Sequence, residues 1–306
     1  MAVYETLLYD TDGAVAVLTL NRPDHLNTIV PPMPDELDDA VRRAFRDDRV
    51  KVIVLQGAGS SFCAGFDFSD GFHRWDDVLT TGGRWDPGKE LIIGTSPAGW
   101  VPKFMSLWRS PKPVIAQIHG WCVGGGSEMA LCADIVIASE DARLGTPYSR
   151  MWGCHHACMW VYRLGLARAK ELALTGRSLS GREAAEIGLI NRAVPFDRLQ
   201  AEVWRTAEQL ASIPLSQLAA MKIVVNQAYE NMGLTTTQWL GSMLDGMLRN
   251  TPEALDFIDR ASRDSVREAV AVRDAPFGDY SQAPPEEKPD PRNVIAPRGR
   301  PDPDAG

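Results

Sequence analysis

Short, β-branched apolar runs recur along this chain, each closed by a turn rich in Gly or Pro, and this repetition is what most restricts its fold. Val15-Ala-Val-Leu-Thr-Leu20 ends at Asn21-Arg-Pro23, and Val50-Lys-Val-Ile-Val-Leu55 ends at Gly57-Ala-Gly59. Pro113-Val-Ile-Ala-Gln-Ile118 runs into His119-Gly120, and Asp134-Ile-Val-Ile-Ala138 follows soon after. Runs of this length and composition read as buried strands. Between the first two, Pro34 to Phe45 reads as a helix: Asp35, Glu36, Asp38 and Asp39 come early, and Arg42 and Arg43 late. That is the charge order a helix dipole favours. A second helical run, Ser127 to Cys132, separates the last two strands. Strands alternating with helices across short turns predict an α/β core.

Residues 69–112 break the pattern. Gly, Trp and Pro are frequent, and periodicity is weak from Phe72 through Trp100, as expected of an irregular insertion that covers a site. Trp75, Trp85 and Trp100 could form there a broad apolar pocket or a lid. From Val161 the helical period dominates, over Ala167–Leu174, Phe196–Ile213, Leu215–Glu230 and Thr237–Leu248. Ser180-Gly-Arg-Glu183 has capping-box spacing, and Thr251 with Pro252 signals one more helix start. These signals divide the chain into a core over residues 1–195, a helical region over 196–279 and a Pro-rich tail over 280–306, expected to be disordered or an arm laid on a neighbour.

Composition excludes several classes. A chain of 306 residues with formal charge -8 and an isoelectric point near 5.2 is large enough for a sizeable core. Its charge opposes a polyanionic partner, so nucleic acid is not expected. No run approaches the roughly 18 apolar residues of a membrane span. Met1–Asp10 lacks the basic start and apolar stretch of a leader, so a cytoplasmic protein is expected. Cys63, Cys122, Cys132, Cys154 and Cys158 are odd in number and lack framework spacing, which suits free thiols.

Three segments carry more than fold. Ser61-Phe-Cys-Ala-Gly-Phe-Asp67 follows one strand, Gly120-Trp-Cys-Val-Gly-Gly-Gly-Ser-Glu128 follows another, and Asn21-Arg-Pro-Asp-His-Leu-Asn27 follows the first. With Leu174-Thr-Gly176, Ala184-Ala-Glu-Ile-Gly-Leu189 and Val194-Pro195, they resemble the enoyl-CoA hydratase/isomerase (crotonase) family in order and spacing, from about residue 4 to about residue 279. The resemblance implies a crotonase-like spiral of repeated ββα units within the α/β class, with a C-terminal helical region that packs subunits as a homotrimer or a dimer of trimers. It implies an acyl-CoA thioester as substrate and no separate cofactor, coenzyme A being part of the substrate.

The chemistry such residues support begins at the thioester oxygen. A thioester becomes reactive at its α and β carbons when the enolate-like charge on that oxygen is stabilised, and a pair of backbone N–H donors does this. By motif position the donors are Phe66 and Gly125. Glu128, in the first turn of the helix after Gly125, is the leading catalytic candidate, for handling the water that attacks the β carbon; the alternative is a carboxylate that merely complements a helix N-terminus. Tyr148, in Gly145-Thr-Pro-Tyr148, stands where family hydratases commonly carry a second glutamate. A phenol can donate a proton but is a poor base near neutral pH, which counts against isomerase chemistry. Tyr148 is therefore either a second catalytic group or a pocket-lining ring.

By resemblance, coenzyme A and substrate lie against His25, Leu26, Ala64, Asp67, Phe68, Gly124 and Pro147, with Arg273 and Phe277 at the nucleotide end. His155 or His156 is a candidate acid/base group. Cys154, His155, His156 and Cys158 form too weak a pattern for a zinc site, and no metal is expected. The expected activity is reversible hydration of a trans-2-enoyl-CoA to a 3-hydroxyacyl-CoA. The alternatives are another crotonase reaction, namely hydrolysis, dehydration or isomerisation, and a weakly catalytic acyl-CoA-binding protein.

Overall fold

The computed structural model describes residues 4–69, 75–82 and 84–297. Its chain starts with a hairpin, β1 (Leu7–Asp12) and β2 (Val15–Leu20), followed by α1 (Pro32–Arg46) and β3 (Val52–Gly57). The insertion then carries α2 (Asp76–Leu79), the short strands β4 (Thr80–Thr81) and β5 (Arg84–Trp85), and two helices, α3 (Pro87–Thr95) and α4 (Trp100–Arg109). Next come β6 (Val114–Ile118), β7 (Trp121–Val123), α5 (Gly125–Leu131), β8 (Ile135–Ser139) and β9 (Arg143–Gly145). After these follow α6 (Met159–Arg163), α7 (Leu166–Thr175), β10 (Leu179–Ser180), α8 (Gly181–Glu186) and β11 (Arg192–Val194). The helices α9 (Phe196–Ala211), α10 (Leu215–Asn231), α11 (Leu234–Leu248), α12 (Pro252–Arg263) and α13 (Val266–Asp274) close the α/β fold.

The main sheet has the order β1-β2-β3-β6-β8-β11, antiparallel only at β1–β2 and parallel elsewhere. Its strands read as unbroken apolar runs because both faces are covered. Ala16, Leu18, Leu20, Ile53, Leu55, Ala116 and Ile118 face one core with Leu37, Met105 and Met129. The alternate residues Val15, Val17, Val52, Val54, Ile115 and Ile137 face a second core with Leu199, Val203 and Trp204 of α9. α9, the first helix past residue 195, thus packs directly on the sheet and covers a face that would otherwise be bare.

A small second sheet, β10-β9-β7, stands beside the main one and carries the glycine-rich turn at its edge. Two isolated bridges lock the turns together. Cys63 N–H donates to Trp121 O at 2.9 Å, and Val123 N–H returns to Cys63 O at 3.0 Å. Ile29 N–H donates to Gly65 O at 2.8 Å, and Asp67 N–H to Ile29 O at 2.9 Å.

Two expectations need correction. The region 69–112 is substantially helical, and Asp86 caps α3 by accepting from Gly88 N–H at 2.8 Å; part of it, including Phe72, lies outside the described residues. The tail, described to residue 297, is an arm, but it lies on its own chain. Tyr280 is buried and its hydroxyl donates to Gly176 O at 2.9 Å, while Ile295 exchanges backbone hydrogen bonds with Gly59. Burial of Tyr280, Ala283 and Ile295 gives the arm an apolar reason to dock. Among the described residues, no helix is long and apolar enough to cross a membrane.

Candidate active site

The turns after β3 and β7 meet in a cleft of about 410 Å³. Phe66 and Gly125 both line it, and among the described residues neither backbone N–H has an acceptor. Gly124 N–H, by contrast, is spent on Gly145 O at 2.8 Å, and Gly124 holds φ +55, a left-handed conformation that swings Gly125 into the first position of α5. The free N–H of Gly125 is thus one of the donors every helix start leaves unpaired. The approach is tight: a Cβ on Gly125 would lie 2.4 Å from Phe66 Cε2 and 3.0 Å from Ile29 Cδ1. Two unclaimed donors side by side in a largely apolar cleft suit an oxygen that gains negative charge.

Tyr148 sits over this turn. Its hydroxyl lies 4.0 Å from where a Gly124 Cβ would be and is enclosed without a hydrogen-bond partner. Burial pushes the phenol well above its usual range, and the charges of Glu128 and Asp245 push the same way, so it stays a neutral donor.

Glu128 is placed otherwise than its motif position suggests. It does not line the cleft among the described residues. Its Oε1 accepts from His156 N–H at 3.1 Å, and its Oε2 accepts a short hydrogen bond from Ala157 N–H. His155 Nδ1 lies 3.3 Å from Oε1 without hydrogen-bond geometry. The carboxylate therefore pins the loop between Tyr148 and α6, and each oxygen keeps a lone pair beyond the one it uses.

Most expected binding residues gather at the cleft: His25, Leu26, Ala64, Asp67, Phe68, Gly124, Pro147 and Arg273 all line it. Asp67 is spoken for by Arg22 Nη2 at 2.8 Å and by Ser69; burial opposes its charge, yet these hydrogen bonds hold its carboxyl at about 2. Arg273 forks onto Asp274 at 2.7 and 2.8 Å. Phe277 stands outside the cleft, half exposed, with the Arg150 guanidinium 3.9 Å above its ring.

A buried ionic cluster forms part of the wall and is only partly foreseen from the sequence. His156 Nε2 lies 3.3 Å from Asp245 Oδ2 and 3.4 Å from Glu90 Oε1. Arg249 Nη2 reaches the same two oxygens at 2.5 and 3.2 Å. Asp245 and Arg249 stand a helical turn apart on α11, and α3 brings Glu90 against them because Gly246 has no side chain; a Cβ there would lie 2.6 Å from Glu90 Cβ. Burial works against a charged His156, but the Asp245 charge and the hydrogen bonds that His156 Nε2 donates to Asp245 and Glu90 win, pushing it up to about 10. Burial raises the Glu90 carboxyl, and Arg249 draws Asp245 down despite burial. Glu90, His156 and Asp245 bring ligand atoms within 4.8 Å of one another, but the Arg249 guanidinium already supplies the positive charge a metal would bring.

Comparison with known proteins bears on the family and the fold. A family model described as enoyl-CoA hydratase/isomerase matches residues 10–250. A probable enoyl-CoA hydratase of Rhizobium meliloti (strain 1021) is 34% identical over 234 residues, covering 74% of this chain and 83% of that protein. The 1,2-epoxyphenylacetyl-CoA isomerase of Escherichia coli (strain K12) is also 34% identical, over 231 residues, covering 74% of this chain and 84% of the other. Among solved structures, an enoyl-CoA hydratase from Mycobacterium smegmatis superposes with a TM-score of 0.83 at 38% identity, over 91% of this chain and 96% of that one. With its fold, its paired glycine-rich turns and these relatives in agreement, the chain belongs to the enoyl-CoA hydratase/isomerase family.

Proposed function

We propose that this protein is an enoyl-CoA hydratase, adding water reversibly to a trans-2-enoyl-CoA to give a 3-hydroxyacyl-CoA. The observation that carries the reading is the pair of unclaimed N–H donors on Phe66 and Gly125, neighbouring residues that line one cleft. They receive the thioester oxygen as it becomes an enolate. The water oxygen bonds to the β carbon, and its proton passes, through a further water, to Glu128, which stands behind the cleft lining on the His156 and Ala157 N–H groups and keeps a free lone pair on each oxygen. The α carbon takes a proton from the Tyr148 hydroxyl, the thioester carbonyl re-forms, and the proton on Glu128 restores the phenol. The names of relatives support hydration, while the phenol at position 148 disfavours proton shuttling between carbons, since a group held neutral is a weak base.

The test is loss of the enoyl-thioester absorbance with crotonyl-CoA and a longer trans-2-enoyl-CoA. Wild-type turnover that falls by about 10²–10⁴-fold in Glu128→Gln is expected. A Tyr148→Phe protein with full activity would remove the phenol from the mechanism. Wild-type inactivity despite binding of the thioester would shift the assignment to another crotonase reaction or to acyl-CoA binding alone.

The second element of the proposal is self-association as a trimer or a pair of trimers. Met221, Ile223, Val224 and Val225 on α10 and Trp239 and Leu240 on α11 are all about half exposed or more. So many exposed large apolar side chains on two consecutive helices are unusual on a monomer and fit a second copy.

A further inference from the structure

The hydratase reading leaves the ionic wall of the cleft unused, and that wall is costly. Charged side chains taken out of water are unfavourable unless fully paired, and a plain hydrocarbon acyl chain would be better served by an apolar wall. Here His156, Asp245 and Arg249 line the same cleft as the oxyanion donors, and His156 is only 5% exposed.

Pairing within the cluster is lopsided. His156 spends Nε2 on Asp245 and Glu90, and among the described residues its Nδ1 has no partner. Arg249 spends Nε and Nη2 on Asp245 and Glu90, its guanidinium lying 4.7 Å from the Trp85 ring, and Nη1 has no partner there. The carboxylate atoms on the cleft side are occupied by contrast: Asp245 Oδ2 by Arg249 and His156, and Oδ1 by Cys154 N–H at 2.9 Å. Glu90 Oε2 is also without a partner, but Glu90 does not line the cleft among the described residues, so on the cleft side the spare capacity is donor capacity, on His156 and Arg249.

From this we infer that the acyl group of the substrate carries a carboxylate at its far end, and that His156 Nδ1 and Arg249 Nη1 hold it. The inference rests on the acyl-CoA reading of the cleft and names the substrate class: a mono-thioester of a dicarboxylic acid rather than a simple fatty acyl-CoA. The groups facing His156 are Asp245 from α11 and Arg249 at its end, Glu90 from α3 and Glu128 from α5, which accepts from the His156 backbone N–H; burial raises the Glu90 carboxyl. A carboxylate arriving in the cleft accepts from donors that the cluster leaves unused, and it meets them on the side away from Glu90. An alkyl end would instead strip water from two charged donors and offer no acceptor.

Binding of saturated, unreactive thioesters tests the subsite without any chemistry. By calorimetry on the wild-type protein, succinyl-, glutaryl- and adipoyl-CoA are compared with butyryl-, valeryl- and hexanoyl-CoA. The best dicarboxylic thioester is expected to bind at least about tenfold more tightly than its alkyl counterpart, the size of a charge-assisted hydrogen bond. In His156→Gln that advantage, read as the ratio of the two affinities within the variant, is expected to vanish. Equal or weaker binding of every carboxylate-ended thioester by the wild type overturns the inference, and so does an advantage that survives in a folded His156→Gln protein. Because no turnover is measured, a failed hydration assay leaves this result standing, and a failed preference here leaves hydration of alkyl enoyl-CoAs untouched.

Discussion

Adding one methyl group at Gly125 separates an oxyanion hole from a mere turn. The Cβ of Gly125→Ala would lie 2.4 Å from Phe66 Cε2, 2.8 Å from Phe66 Cδ2 and 3.0 Å from Ile29 Cδ1, so something must move. The ring has little room to do so: Trp75 lies 5.3 Å and Trp100 5.0 Å from it between centroids, packed edge-on and tilted. The strain passes instead to the backbone that carries the Phe66 and Gly125 N–H groups, and they spread. Loss of one such donor costs about 10²–10³-fold in turnover, while overpacking costs about 1–3 kcal/mol in stability. The assay is kcat and KM for a trans-2-enoyl-CoA, with thermal unfolding on the same preparation. A kcat lowered by about two orders of magnitude in a folded protein is expected, with KM changed far less, because the interaction is realised in the transition state. A folded variant with kcat within about threefold of wild type would refute the assignment of these two donors.

Two other outcomes follow from burial and charge. His119 is fully buried with Nε2 2.7 Å from Gly59 O, and burial outweighs that bond to hold its pKa at about 4, below the usual 6.5. The unfolded chain therefore binds this proton first as pH falls, so stability from a neutral His119 is present above about 6.5 and lost between about 6.5 and 4. The separation corresponds to on the order of 3 kcal/mol; denaturant titrations at pH 7 and pH 4.5 should show a loss that shrinks in His119→Gln, and an equal loss in both proteins would assign it to other groups. In solution the wild type should sediment at about three or six times the 33.6 kDa chain mass, and Val224→Glu, on the apolar face of α10, should lower it; a monomeric wild type at micromolar concentration would remove the proposed assembly.

What the sequence disclosed, and what it hid, follows from how local each feature is. The strands Val15–Leu20 and Val114–Ile118 are legible because a strand buried on both faces needs no partner to explain its composition. Ser180 and Thr251 announce their helices because a cap acts within a few residues, and both side chains do accept from the first turn, from Glu183 N–H and Ala254 N–H. β1 is an edge strand that carries the polar run Asp10-Thr-Asp12, of which Asp10 and Thr11 are exposed, and it borrows its order from β2. α3 and α4 are interrupted in sequence by Gly94, Pro97, Gly99 and Pro102, and the first of these is glycine for the sake of α11: a Cβ there would lie 2.1 Å from Ser242 Oγ. Such a glycine weakens the local helical signal in order to serve a distant contact.

The site divides along the same line. Phe66 and Gly125 are backbone donors, and a backbone donor is set by its own turn, so two short motifs suffice to place them. Glu128 is a side chain, and a position in the first turn of α5 fixes where its Cα lies without fixing what the carboxylate meets; the loop at residues 155–157 decides that. The ionic wall is the extreme case, drawn from α3, the loop before α6 and α11. Its one local trace is Asp245 within Ser242-Met-Leu-Asp-Gly-Met-Leu248, a carboxylate in an apolar stretch with Arg249 a turn beyond it. A charge in that setting must find partners inside the protein, because a buried unpaired carboxylate would not stay ionised. His156, which the Glu128 carboxylate holds by its backbone and Asp245 by its ring, joins the two halves of the site: substitution at Glu128 should therefore disturb acyl binding as well as turnover.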